Sequence, residues 1–249
     1  MWIWLPEYVE GGDPAAIVAR AQAAGLSHVY VRTGSSVDGF YAAAFIEALL
    51  PVAHAAGIRV IGWDFPYFDD LNADTARALE AIQYTTPTGD RLDGFSPDIE
   101  TALEGVNLTP ENAAAYSQTL RNAVGPSYLL IATVPRPSPA RQADYPYGRV
   151  LPPYDAVAPM VYWIDTPPDV DTSEAIEFLA QFGKPVLPIG QAYDSGLEGG
   201  PPGSPTGADI DSFMNTALAG GAPSVSFWSW QHATDEMWQA IANWPNPPG

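Results

Sequence analysis

Short β-branched or aromatic runs alternate with alanine-rich runs of helical period along the chain, and glycine, proline and aspartate separate them. The apolar runs predict strands at Trp2–Leu5, His28–Arg32, Arg59–Asp64, Gly94–Glu100, Tyr128–Val134, Ala156–Tyr162, Val186–Gln191 and Val225–Trp230. The alanine-rich runs predict helices at Pro14–Ala24, Gly39–Ala56, Ala73–Ile82, Pro110–Val124, Ser173–Phe182, Ala208–Ala219 and Asp235–Asn243, with a weaker pattern over Ala140–Val150. Asp13-Pro14 and Thr109-Pro110-Glu111 each put an N-capping oxygen before a first-turn proline, and Gly25, Gly57, Gly125 and Gly183 stand where helices stop.

Alternating β and α units need crossover connections and therefore a parallel sheet. Eight units in 249 residues fit closure into a single α/β domain, a (β/α)8 barrel over residues 1–244. An open doubly wound sheet is the alternative, but no G-x-G-x-x-G follows the first strand and no phosphate-binding loop is present, so no nucleotide cofactor is expected. Residues 245–249, with Pro245, Pro247 and Pro248, read as a proline-rich tail or the start of a linker. The Gly/Pro-rich run Asp194–Pro205 follows the seventh strand, on the side where barrels build their sites, and reads as a wall, a lid or a passive loop.

The fourth predicted strand ends in Asp93-Gly94-Phe95-Ser96-Pro97-Asp98-Ile99-Glu100. Side chains at i and i+2 share a face, so Ser96, Asp98 and Glu100 point one way and Phe95, Pro97 and Ile99 the other. Two carboxylates side by side on a largely buried strand are unfavourable, which makes this pair the leading candidate for chemistry; solvated strand-end acids paired with arginines are the plainer alternative. The carboxyl ends of the other strands carry Trp4, Arg32, Asp64, Tyr162, Gln191, Tyr193, Trp228, Trp230 and Gln231. Indole and phenol faces stack on sugar rings while amides and carboxylates bond hydroxyls, so this set suits an oligosaccharide or polysaccharide and does not suit a phosphate. Trp228 and Trp230, at i and i+2 with Gln231 next, are expected to share the cleft.

Composition narrows the picture further. The formal charge is −19, from 10 Lys+Arg against 29 Asp+Glu, which excludes nucleic acid and anionic membrane surfaces as expected partners. The chain has no cysteine, and His28, His54 and His232 show no metal-ligand spacing, so thiol chemistry, disulfides and a catalytic metal are not expected. The single lysine, Lys184, stands at the start of the seventh strand, away from the expected active face. No apolar run approaches the roughly 18 residues needed to span a bilayer, and the N-terminal run is unlike a signal peptide. A monomer is expected.

On these residues the chain resembles glycoside hydrolase family 18, the chitinases, whose D-G-x-D-x-D-x-E ends the fourth barrel strand. Ser96 stands where that pattern has its first acid of D-x-D-x-E. Met160-Val161-Tyr162 is similar to the family's Met-x-Tyr-Asp, with Trp163 in place of the aspartate, and Trp228 or Trp230 is similar to its tryptophan on the eighth strand. Asp98-Ile99-Glu100 and Trp230-Gln231 also resemble elements of the family 25 muramidases, and the whole looks like glycosidase-like barrels of actinobacteria. The resemblance implies a glycosidase in which Glu100 is the general acid, its pKa raised by Asp98 and an apolar surround. Asp98 stays ionised and orients a 2-acetamido group, and Tyr162 donates to that group's oxygen. Direct displacement with Asp64 or Asp98 activating water is the alternative mechanism. A carbohydrate-binding barrel without activity, as a module of a cell-wall protein, is the alternative function. An extracellular or cell-wall location, with release of the phage-lysin type as a variant, goes with either reading.

Overall fold

The computed structural model describes residues 1–164 and 166–244; the proline-rich run expected at 245–249 lies outside the described residues. Eight parallel strands follow one another around the sheet in chain order: β1 (Trp2–Ile3), β2 (His28–Ser35), β3 (Arg59–Phe65), β4 (Gly94–Pro97), β5 (Leu129–Pro135), β6 (Ala156–Val161), β7 (Ile189–Gln191) and β8 (Ser226–Trp228). The first and last strands meet through side chains: Trp2 Nε1 donates to Ser226 Oγ at 2.8 Å, and the Trp4 backbone N–H donates to Gln231 Oε1 at 3.3 Å. This is the nearly closed (β/α)8 barrel that the alternation of runs implies.

Outside the strands run α1 (Pro14–Ala23), α2 (Ala43–Ala55), α3 (Leu71–Gln83), α4 (Pro110–Val124), α5 (Pro139–Asp144), α6 (Tyr147–Val150), α7 (Pro168–Ala180), α8 (Gly207–Ala219) and α9 (Asp235–Asn243). None of the described helices is long and apolar enough to cross a membrane. The barrel interior is filled by Trp2, Tyr30, Ile61, Trp63, Ile131, Ala156, Ala158 and Ile189. Trp2 and Tyr30 stack face to face, nearly parallel, with ring centroids 4.1 Å apart, and two small alanines on β6 leave room for indoles from β1 and β3. The alternate strand residues, among them Val29, Val31, Phe95, Ile99 and Phe227, pack outward against the helices.

Several expected boundaries move, four of them in ways that bear on the chain's local structure. Gly39 has φ +71°, outside the right-handed helical region, so Gly39–Phe40 pairs antiparallel with Gly34–Ser35 and α2 starts only at Ala43. The closeness of that hairpin makes Gly34 obligatory: a Cβ there would lie 2.4 Å from the Gly39 carbonyl oxygen. The expected helix over Ala140–Val150 is broken at Tyr145-Pro146 into α5 and α6, since proline cannot donate within a helix. Helix α7 begins at Pro168, whose fixed φ suits a first turn, not at Ser173. Strand β8 ends at Trp228, where the Trp228–Ser229 peptide is cis, and Trp230–His232 form a 3-10 turn.

Candidate active site

At the carboxyl end of the barrel a cavity of about 280 Å³ is lined by Trp4, Arg32, Trp63, Phe65, Tyr67, Asp98, Glu100, Met160, Tyr162 and Trp228. A larger cavity of about 570 Å³ opens at the opposite end, among Met1, His28, Met214 and Trp244, and no carboxylate of a described residue lines it. Chemistry therefore belongs with the smaller one.

The acid pair comes from the continuation of β4. Beyond Pro97 the backbone stays extended between its neighbours: the Asp98 N–H donates to the Asp64 carbonyl at 2.9 Å and the Ile99 N–H to the Thr133 carbonyl at 3.0 Å. The two-residue period thus persists. Ile99 is buried in the outer core, while Asp98 and Glu100 reach the cavity. Tyr145 fixes the end of this segment by donating its hydroxyl to the Ile99 carbonyl at 2.7 Å. Ser96 lies one step deeper, its Oγ 2.7 Å from Thr133 Oγ1 and 3.2 Å from the Ile131 carbonyl. A third acid at Ser96 would displace that small hydroxyl bridge between strands.

Asp98 is 9% exposed, and its Oδ1 has no hydrogen-bond partner among the described residues. Burial raises its pKa to about 7, the carboxylate of Asp64 adds to the rise, and the Arg32 guanidinium opposes it. The rise favours the protonated form over the ionised one that the resemblance implies.

The position of Asp64 is a second correction. Trp63, Phe65 and Tyr67 face the cavity, so Asp64 between them faces outward, fully buried at 0% exposure. Its Oδ2 accepts from Arg77 Nε at 3.0 Å, and Tyr116 approaches Oδ1 at 3.5 Å. Burial lifts the Asp64 pKa to about 6 against the pull of Arg77. It cannot touch a sugar or activate a water in the cavity. Arg77 also binds Asp74 at 2.6 Å, and Asp74 accepts from Ser36 Oγ and from the Phe68 N–H, while Ser36 Oγ accepts from the Tyr67 N–H at 2.7 Å. This buried network sets the loop that carries Tyr67.

The walls are aromatic. Trp228 meets Trp4 in a stacked arrangement at 6.1 Å and Trp63 edge-on at 5.3 Å, and Trp63 Nε1 donates to the Ile3 carbonyl at 3.2 Å. Tyr162 packs perpendicular to Tyr193 with centroids 5.4 Å apart. The Arg32 guanidinium lies over the Trp63 ring, 5.5 Å from its centroid. Arg32 is paired with Trp63 in register, just before a bulge at Thr33 that carries β2 on to Gly34.

Six of the expected residues meet in the cavity: Trp4, Arg32, Asp98, Glu100, Tyr162 and Trp228. Tyr193 and Gln191 stand behind that wall; both are buried, and Gln191 Nε2 donates to the Tyr193 carbonyl at 3.1 Å. Gln231 supports Trp4 through its backbone without lining the cavity. Trp230 is corrected outright. It is 3% exposed, packs edge-on against Trp238 at 4.8 Å and donates to Glu10 Oε1 at 3.2 Å, in the layer between sheet and helices. The i, i+2 argument fails for it because the strand ends at Trp228. The same rule applied to Trp63-Asp64-Phe65-Pro66-Tyr67 would have found the missed Trp63, Phe65 and Tyr67; Met160 shares the face of Tyr162. Among the described residues no cluster of three or more His, Asp or Glu side chains is arranged to hold a metal ion.

No protein-family model matches the chain, and no curated protein sequence matches it. Its likeness is to solved barrels. A class V chitinase from Pseudomonas fluorescens Pf-5 is similar at 14% identity and TM-score 0.65, covering 96% of this chain and 97% of that one. A GH18 chitinase from Pseudoalteromonas aurantia is similar at 13% identity and TM-score 0.64, covering 96% of each. A xylanase and amylase inhibitor protein, XAIP-III, shares the fold at 14% identity and TM-score 0.60 over 90% of each chain. What these likenesses define is the shared fold, a (β/α)8 barrel found both in chitinases and in an inhibitor protein.

Proposed function

We propose that the chain is a glycoside hydrolase that cleaves a polysaccharide, with Glu100 as general acid. The observation that carries this reading is the placement of Asp98 and Glu100, two residues apart on one strand edge, in a cavity walled by Trp4, Trp63, Tyr67, Tyr162 and Trp228. Glu100 protonates the leaving glycosidic oxygen. Asp98, buried and balanced near pKa 7 between Asp64 and Arg32, exchanges a hydrogen bond with the substituent next to the anomeric carbon and, once ionised, stabilises the positive charge that develops there. Tyr162, on the same cavity, donates to that substituent. Fold likeness to chitinases supports a chitin-like or other cell-wall glycan as substrate, and a place outside the cell or at the wall is the location that goes with such a substrate.

The second reading is a carbohydrate-binding barrel without turnover. Ser96 and Trp163 stand where family 18 chitinases have acids, and a barrel of this fold serves as an inhibitor protein. Hydrolysis of chitin oligomers, peptidoglycan and a panel of neutral and acidic polysaccharides, with Glu100→Gln beside the parent, separates the two. The enzyme reading expects turnover that falls about 10²-fold or more in Glu100→Gln with binding retained. Binding of a glycan with no turnover in the parent would leave only the module.

A further inference from the structure

The chain has 10 Lys+Arg for 29 Asp+Glu, so a guanidinium without a carboxylate partner is unexpected anywhere that water is excluded. Arg20, Arg77, Arg121, Arg136 and Arg141 each form an ion pair. Of the arginines with no ion pair to a described residue, Arg59, Arg91 and Arg149 are exposed. Arg32 alone among them is shielded, and it lines the cavity. Its Nε is buried with no hydrogen-bond partner among the described residues. Asp98 shares the cavity, yet the two do not close on each other, and Asp98 Oδ1 is also unpartnered. Arg32 thus brings a guanidinium with no ion pair to a described residue to the cavity wall, held over Trp63.

A neutral hydroxyl would occupy one donor of Arg32 and leave its charge without an ion-pair partner. A carboxylate would take the two terminal Nη atoms together, end-on, a two-pronged geometry that guanidinium allows while Nε stays buried. We infer that Arg32 determines specificity by pairing with a carboxylate on the bound glycan, so that the cavity takes a saccharide bearing an acidic sugar, either a uronate or the lactyl group of a muramic acid. The inference rests on the glycan reading above and adds the charge of the substrate. The chain's net charge of −19 works against long-range capture of an anion, so the preference arises from contact at Arg32 and not from steering.

The test uses isothermal titration of the Glu100→Gln form, which keeps ligands intact, with three probes: a chitin hexamer, a hyaluronan hexamer and peptide-free peptidoglycan strands. The expected result is at least tenfold tighter binding of one acidic probe than of the chitin hexamer, and the probe that binds tells uronate from lactyl carboxylate. Adding Arg32→Gln should reduce that ratio at least tenfold, and Arg32→Lys, which keeps the charge and loses the fork, should fall between. Thermal melts identify a misfolded Arg32→Gln, in which case Arg32→Lys carries the comparison. A ratio near one, or a ratio that survives both substitutions, overturns the inference. Binding of the chitin hexamer alone overturns the acid preference and leaves the glycan reading standing; binding of none of the three sinks both.

Discussion

Asp98 and Asp64 stand back to back across the barrel wall: the Asp98 N–H donates to the Asp64 carbonyl at 2.9 Å, and their carboxylates leave on opposite faces. The outer carboxylate raises the proton affinity of the inner one through the sheet. Asp64→Asn removes that charge and leaves the Arg77 cation in place, so the pKa of Asp98 should drop below about 7. Carboxyl NMR titration of Asp98 reads the change directly, and the pH profile of any turnover should move the same way. Because the variant opens a buried ion pair, it should also lose about 3 kcal/mol of stability. An unmoved Asp98 titration would show that burial alone sets its affinity.

The same two acids give the fold an unusual pH dependence. Both are raised, Asp98 to about 7 and Asp64 to about 6, so the folded chain holds protons that the unfolded chain releases above about pH 4. Stability therefore falls as pH rises from about 4 to 7. Urea unfolding should give a higher free energy at pH 5 than at pH 7.5. Asp98→Asn should flatten the slope by up to about 1.4 kcal/mol per pH unit, the value for one proton, and should be more stable than the parent at pH 8. A parent protein equally stable at both pH values would count against a buried, proton-holding Asp98.

How much of this was legible beforehand depends on whether a residue obeys a period. Asp98 and Glu100 were readable because β4 stays extended past its last ladder residue, Pro97, so alternation placed them correctly. Asp64 was misplaced although the rule was available: Trp63, Phe65 and Tyr67 are the cavity set on β3, and the acid between them had to face the helices. Trp230 was beyond alternation, since its orientation depends on where β8 gives way to a 3-10 turn. Arg32 and Trp63 lie 31 positions apart and meet only through the β2–β3 register, which no local pattern encodes. The helix breaks at Gly39 and Pro146 were written in the sequence as a glycine and a proline inside helical patterns.

The two tryptophans at the end of the barrel should separate under substitution. Trp228 is half-buried on the cavity wall, whereas Trp230 sits between Trp238 and Glu10 beneath the helices. Trp230→Ala should cost about 3–5 kcal/mol of stability by opening a cavity in that layer. Trp228→Ala should keep most of the stability and weaken glycan binding by about tenfold or more, roughly 1.4 kcal/mol. Thermal melts and titration of a bound glycan on both variants check the assignment, and a reversed pattern would move the cleft to the outer face.

His54 on α2 offers the last test, at the other end of the strand that carries the acids. Its Nδ1 lies 2.8 Å from Asp90 and its Nε2 3.0 Å from Asp93, and Asp93 also accepts the Val60 N–H at 2.7 Å just before β4 begins. Both ring nitrogens face carboxylates, so the arrangement is satisfied only by the imidazolium, which donates twice. Burial pulls the His54 pKa down, but the bonds to Asp90 and Asp93 outweigh it and leave the pKa above its ordinary value. A raised histidine contributes stability that is fully present below about pH 6.5 and fades as pH rises through the folded-state value. The melting temperature of the parent should therefore exceed that of His54→Gln most clearly near pH 5.5, and the gap should narrow by pH 8.5. Titration of the His54 ring protons should give a midpoint above 6.5. A gap that stays constant across that range would mean the ring acts through packing, with no contribution from its charge.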